Sequence, residues 1–197
     1  KVIRAGRRGG KTTGMAILAT QQFLQGHRVL YAVPTADQMQ RFWHEVCLYL
    51  QEPIALGVYK KNETVHTIEL PLTEQRIRAK TAFNADGVRG DYADMLILDE
   101  FSLMNEDTWG VVGAPMLLDN NGDAVFVYTP PSFRTAGMSK AHDPRHAAKL
   151  YTQAAQDTTG RWEAWTFRSH DNPYLSTVAL EDITSDMTPL AYRQEIL

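Results

Sequence analysis

A single cysteine, Cys47, is all the thiol this chain has. It excludes an internal disulfide, so nothing points to secretion. No apolar run approaches the ~20 residues of a membrane-spanning helix, and no secretory leader opens the chain. No membrane partner is therefore expected. An excess of positive charge is missing too. The net charge is −3, so a nucleic-acid partner would have to meet a local basic patch. There is no internal repeat and no low-complexity tract. What is present is 197 residues with 44% apolar content. That suits one α/β domain, or one domain with a small appendage, and is enough to bury a core.

Apolar strands alternate with helices along the chain. Val2-Ile3-Arg4-Ala5 reads as a short strand, followed by a glycine-rich turn and a helix from Lys11 to about Gln25, with Gly26 as its stop. Arg28 to Val33 reads as a buried strand. Thr35 can cap a helix running to about Leu50, with Met39, Phe42, Trp43, Val46 and Leu50 at helical spacing. Val65–Leu70 and Arg76–Lys80 suit a hairpin. Met95–Leu98 and Ala124–Tyr128 are further strands. Asp143-Pro144 reads as a cap and first helical residue, Arg161–Phe167 as a late strand, and Thr177–Met187 and Pro189–Leu197 as closing helices. The expected fold is α/β, a mostly parallel central sheet flanked by helices.

Ala5-Gly6-Arg7-Arg8-Gly9-Gly10-Lys11-Thr12 has the phosphate-loop spacing G-x-x-x-x-G-K-[ST], with alanine for the first glycine. Glycines let backbone N–H groups converge on phosphate oxygens. The helix that follows turns its positive N-terminus to the same anion. The candidate ATP cradle is therefore Gly6, Arg7, Arg8, Gly9, Gly10, Lys11, Thr12 and Thr13. Lys11 adds a point charge, and the Thr12 hydroxyl is placed to ligate Mg²⁺. Strand before and helix after are the context the motif requires.

Met95-Leu96-Ile97-Leu98-Asp99-Glu100 is an apolar strand ending in two carboxylates. Ligands bind at the carboxyl edge of a parallel sheet. Asp99 is the expected Mg²⁺ holder and Glu100 the base for the attacking water, with Asp94 or Asp91 next in line.

Gly87-Val88-Arg89-Gly90-Asp91-Tyr92-Ala93-Asp94, running into that strand, resembles the Walker B region of the large terminase subunit of tailed bacteriophages. Arg7 matches that family's Walker A arginine. Tyr31-Ala32-Val33-Pro34-Thr35 matches the segment after the second strand. Tyr128-Thr129-Pro130 resembles its coupling motif. Thr166 to Tyr174, and Tyr192-Arg193-Gln194-Glu195, resemble the tail of its motor domain. The resemblance spans almost the whole chain. It implies a P-loop NTPase sheet of ASCE type and a Mg-dependent ATPase coupled to movement of double-stranded DNA. It also implies a ring, pentameric in the family, on the portal protein of a procapsid in the host-cell cytoplasm, with a small terminase subunit as further partner. Arg89 becomes the candidate arginine finger, in cis or in trans, Arg7 a second catalytic arginine, and Thr129 the relay to movement. Residues 1–197 are expected to be a domain cut from a longer polypeptide, without the family's upstream adenine-binding segment or its C-terminal nuclease. From the residues alone, Arg89 reads first as a turn arginine in a surface ion pair, and Thr129-Pro130-Pro131 could simply end a strand.

Arg76, Arg78 and Lys80 alternate on one strand and so share a face. With Lys60 and Lys61 they could grip DNA phosphates without reading sequence, or simply protect an edge strand by charge. A second basic stretch runs from Arg134 to Lys149, with Lys140 and Arg145 in it. There His142 and His146 have helical spacing, but His142 precedes the expected cap and need not share a face with His146. Trp162 and Trp165 are expected to pack rather than stack on bases. A superfamily 2 helicase or a non-catalytic nucleotide-sensing module are the competing functional readings.

Overall fold

The computed structural model describes residues 1–82, 92–118, 120–130, 140–189, 191–192 and 196. Val2–Ala5 forms β1 and Lys11–Leu24 forms α1. Arg28–Val33 is β2, Ala36–Tyr49 is α2 and Gln51–Ala55 is α3. Lys60–Asn62, Thr67–Glu69 and Arg76–Thr81 are β3, β4 and β5. Met95–Asp99 is β6, Ala114–Leu118 is α4 and Asp123–Tyr128 is β7. His146–Ala155 is α5, Ala164–Phe167 is β8 and Thr177–Ser185 is α6.

The sheet order is β3-β4-β5-β2-β6-β7-β1-β8. From β5 to β8 every neighbouring pair is parallel. The antiparallel pairings are β3–β4 and β4–β5, so β4 alone runs against the sheet, within an extension of one edge. The chain leaves β1, crosses over β7 and β6 through α1, and returns as β2. β8 then joins the other side of β1. The direction of winding thus reverses at β1, and a crevice opens there at the carboxyl ends of the strands. β7 separates the phosphate-loop strand from the acidic strand. This is the expected α/β architecture of ASCE type.

Period-two alternation divides the core. Val29, Tyr31, Val33, Ile77, Ala79, Ile97 and Val127 pack under α1 and α2. Leu30, Ala32, Leu96, Leu98, Phe126 and Tyr128 face Phe101, Met104, Met116, Ala147 and Ala154 on the other side. β6 is buried along its whole length, which explains why its sequence is a continuous apolar run. A π-helical turn over Thr108–Gly113 leads into α4. Its Gly113 lies so close to the sheet that a Cβ there would come 2.8 Å from Leu96 Cδ2.

Several expected boundaries move. Asp143 does not cap α5. Its carboxylate accepts from Arg145 N at 2.9 Å and its carbonyl from His146 N at 3.0 Å, so it closes a turn and the helix starts at His146. β8 begins at Ala164 rather than Arg161, because Asp157 holds Trp162 N at 3.1 Å in a preceding loop. Trp162 packs on Phe126 as a core ring, whereas Trp165 is half-exposed. α6 ends at Ser185, two residues before the expected Met187. The expected Pro189–Leu197 helix falls largely on residues outside the described ones. β3, α3, α4 and the π turn have no counterpart among the expected elements. Among the described residues, no helix is long and apolar enough to cross a membrane.

Candidate active site

The loop after β1 is shaped by two left-handed residues, Arg8 (φ 61°) and Gly10 (φ 76°). Left-handed residues within a turn aim successive N–H groups into one concavity. α1 starts directly after Gly10 with no side-chain cap. Its first intrahelical donor is Gly14, whose N–H reaches Gly10 O at 2.8 Å. The N–H groups of Lys11, Thr12 and Thr13 therefore have no intrahelical acceptor and point at whatever occupies the loop.

Lys11 Nζ lies within the loop mouth. It donates to Thr129 Oγ1 at 2.7 Å, to Gly6 O at 3.3 Å and to Ala5 O at 3.5 Å. Glu100 Oε1 is 3.8 Å from it. Thr129 Oγ1 in turn donates to Glu100 Oε1 at 3.3 Å. Three groups from three separate chain segments, after β1, β6 and β7, thus converge at the carboxyl edge of the sheet. Parallel pairing of β7 with both β1 and β6 explains the convergence, because Ile3 lies beside Val127 and Asp99 also lies beside Val127.

Glu100 has a left-handed backbone (φ 52°, ψ 42°). For a residue with a Cβ that conformation costs about 1–2 kcal/mol, and strained residues of this kind gather at functional sites. Here it turns the Glu100 side chain off the line of β6 and toward Lys11. Asp99, the last residue of the strand, is buried. Its Oδ2 accepts from the Tyr31 hydroxyl at 2.7 Å and its Oδ1 from Glu100 N at 2.9 Å. Burial and the neighbouring Glu100 charge push the Asp99 carboxyl up to about 6, against the opposing effects of the Tyr31 hydrogen bond and Lys11. Burial, and the charge of Asp99, raise the Tyr31 phenol. The Tyr31 ring is stacked on Phe42, 3.6 Å between centroids and 3° between planes.

A cleft of about 530 Å³ covers this loop, lined among others by Arg8, Gly9, Gly10, Lys11, Thr12, Thr13 and Glu100. Gly6 and Arg7 are not part of its lining. The Gly6 N–H is engaged by Phe167 O at 3.0 Å, and Arg7 O accepts from Ser169 Oγ at 2.6 Å. The cleft also takes in Arg41 from α2, and Arg168 and Tyr174 from the segment after β8. Neither those three nor Tyr31 stand out in the sequence as site residues. The only signal is that Tyr31, Arg168 and Tyr174 fall within segments that carry the family resemblance.

Asp94 is not near this site. It lies at the opposite end of β6, where Arg28 binds it through N at 2.8 Å, Nε at 3.1 Å and Nη2 at 3.0 Å. These bonds hold its carboxyl below the usual carboxylate range, and it is removed as an alternative base. Asp91 and Arg89 lie outside the described residues.

The five expected DNA-facing cations divide. Arg76, Arg78 and Lys80 share one face of β5, and Lys60, opposite Glu69, joins that face. Lys61 is paired opposite Ile68, and so points to the other face, where it meets Glu63 at 2.5 Å. His146 directs both ring nitrogens at carbonyl oxygens, Asp143 O at 3.0 Å and Phe101 O at 2.9 Å, so it shares no ligand geometry with His142. Among the described residues no cluster of three His, Cys, Asp or Glu could hold a metal. Thr12 and Asp99 offer hard oxygen donors, which suits Mg²⁺ only if phosphate and water complete its shell.

A mostly parallel sheet wound on both faces, with a phosphate loop, a buried aspartate and an adjacent glutamate at its carboxyl edge, defines the ASCE class of P-loop NTPase folds. No protein-family model and no curated protein matches the sequence. Among solved structures, the chain is similar to the large terminase ATPase domain of Thermus phage P74-26. The TM-score is 0.75 and the identity 17%, over 99% of this chain and 86% of that one. It is also similar to the large terminase of a second thermophilic bacteriophage, in complex with ATP-gamma-S, at TM-score 0.66 and 16% identity. The HK97 bacteriophage large terminase gives 0.71 and 12%. These last two matches also cover 99% of this chain, but each takes in only 46% of the longer terminase. The fold is that of a large terminase ATPase domain.

Proposed function

We propose that this chain is the ATP-hydrolysing motor domain of a viral DNA-packaging terminase, driving double-stranded DNA into a procapsid. One observation carries the reading: Lys11, Thr129 and Glu100 meet within hydrogen-bonding or ion-pair distance at the mouth of a phosphate loop. The structural neighbours named above are two phage large terminases and the ATPase domain of a third, which favours a packaging motor over a helicase.

In this reading the triphosphate lies on the N–H groups of Gly10 to Thr13, at the start of α1. To meet it, Lys11 exchanges its present acceptors for phosphate oxygens. Thr12 and Asp99 would hold Mg²⁺, Asp99 through water. The ion, when bound, neutralises charge that develops on the phosphate oxygens. Glu100 orients the attacking water and accepts its proton. Thr129 has its hydroxyl between Lys11 and Glu100, so the exchange at Lys11 alters what Thr129 is bonded to, and β7 carries that change into the sheet. This is the chemistry behind its role as relay. Arg7 and Arg89 are carried by the resemblance, Arg89 as the arginine that completes a neighbour's site in a pentameric ring. That ring would meet the portal protein and a small terminase subunit in the host-cell cytoplasm.

The test is ATP hydrolysis by the wild type and by Lys11→Ala. The substitution should lower turnover at least ~100-fold, the scale at which a preorganised electrostatic partner of the transition state contributes. Wild-type turnover by Lys11→Ala would remove the reading.

A further inference from the structure

The cleft at the phosphate loop is larger than a triphosphate needs, and part of its wall is built from a segment whose sequence carries no phosphate-binding pattern. At about 530 Å³ it falls in the range of sites that hold whole small molecules, about 300–1,000 Å³. That part is the end of β8 and the segment after it, with Phe167, Pro173, Tyr174 and Leu175 among its lining. Phe167 is 43% exposed and Tyr174 94% exposed. An aromatic side chain left as open as Tyr174 contributes almost nothing to the core. Its position is nonetheless fixed through the backbone. Asn172 Nδ2 donates to Arg8 O at 2.6 Å, and Asn172 Oδ1 accepts from Tyr174 N at 3.0 Å. One amide side chain therefore links the phosphate loop directly to the backbone of Tyr174. Ser169 Oγ on Arg7 O, and Gly6 N on Phe167 O, fix the same segment at two more points.

We propose that Tyr174 is the base platform of the nucleotide site: its ring stacks on the base of the nucleotide whose phosphates lie on the loop. The proposal rests on the nucleotide reading above and adds how this chain holds the other end of the ligand. Stacking is tolerant of base identity, since every base has a π-face. Asn172 commits one donor and one acceptor of its amide to Arg8 O and Tyr174 N, which makes it a brace for the platform. Tyr174 thus supplies affinity for ATP and GTP alike.

The experiment measures dissociation constants of Mg-ATP, Mg-GTP and inorganic tripolyphosphate for wild type, Tyr174→Ala, Tyr174→Phe and Lys11→Ala. Tyr174→Ala should weaken ATP and GTP by the same factor, about 5- to 100-fold, and leave tripolyphosphate unchanged. Tyr174→Phe should retain wild-type affinity for all three. If Tyr174→Ala binds ATP as the wild type does, or loses tripolyphosphate together with ATP, the platform is overturned while the phosphate loop stands. If Lys11→Ala changes neither tripolyphosphate nor ATP binding, the nucleotide reading falls and the platform with it.

Discussion

Tyr31→Phe removes one oxygen atom from the core and nothing else. The ring remains stacked on Phe42 at 3.6 Å, so packing is conserved and the missing interaction is the 2.7 Å hydrogen bond to Asp99 Oδ2. A hydrogen bond to a charged group contributes about 1.5–3 kcal/mol net. Asp99 is only 2% exposed, so water does not readily replace the phenol, and the upper half of that range applies. In a domain of this size each kcal/mol moves Tm by about 2–4 °C. Tyr31→Phe should therefore lower Tm by several degrees. The second consequence is functional. A group that orients a metal-holding carboxylate typically contributes 10–100-fold to metal affinity or activity. In a titration of Mg²⁺ at fixed ATP, the half-saturating concentration for turnover should rise by about that factor. A variant with lower Tm and an unchanged Mg²⁺ dependence would show that Tyr31 only packs the core. A variant with neither change would show that the hydroxyl does not hold Asp99 at all.

Asp94→Asn should lower stability at pH 7 by about 1.5–3 kcal/mol, the range for a hydrogen bond to a charged group. Because Arg28 depresses the Asp94 pKa, that stability is present above the unfolded value near 3.9 and is lost as pH falls through the folded value. Urea midpoints of variant and wild type should thus converge toward pH 3, and a deficit equal at all pH values would contradict the pairing. Changing Arg76, Arg78 and Lys80 together to alanine should flatten the slope of log affinity for duplex DNA against log salt by up to about 0.9 for each phosphate no longer neutralised; an unchanged slope would mean that this face does not meet DNA. Inactive Arg89→Ala subunits mixed with inactive Glu100→Gln subunits should regain some ATPase activity if Arg89 acts in trans. No recovery, where wild-type subunits assemble with either variant, would place Arg89 in its own subunit's site or in a structural role.

The sequence is most legible where local and global signals coincide. β1, β2 and α1 fall within a residue of their expected bounds, because apolar runs and a glycine-rich turn leave little choice of period. The Lys11–Glu100 proximity is implied by motif spacing alone. The Asp99–Tyr31 bond is not, since it depends on β2 lying beside β6, with Tyr31 in register with Ile97. Strand order is set by crossover connections and has no local signature. Arg168 and Tyr174 are hidden for the same reason: only the winding reversal at β1 brings the segment after β8 over the phosphate loop. Lys61 groups with the other cations only while β3 is unforeseen. Once β3 pairs with β4, alternation sends Lys60 and Lys61 to opposite faces. The helix start at His146 escapes the sequence reading because Asp143 makes the hydrogen bonds of a cap while closing only a turn.

If Glu100 is the base of an ATP-hydrolysing site, Glu100→Gln should separate binding from turnover. The amide keeps the size and the hydrogen-bond acceptor that Thr129 uses at 3.3 Å, but at neutral pH it takes no proton. Mg-ATP binding and turnover are measured on the same preparation. Affinity should be retained while turnover falls by about 10²–10⁴-fold, the contribution of a positioned general base. Turnover at the wild-type rate with ATP bound would mean that the water is activated by a group other than Glu100.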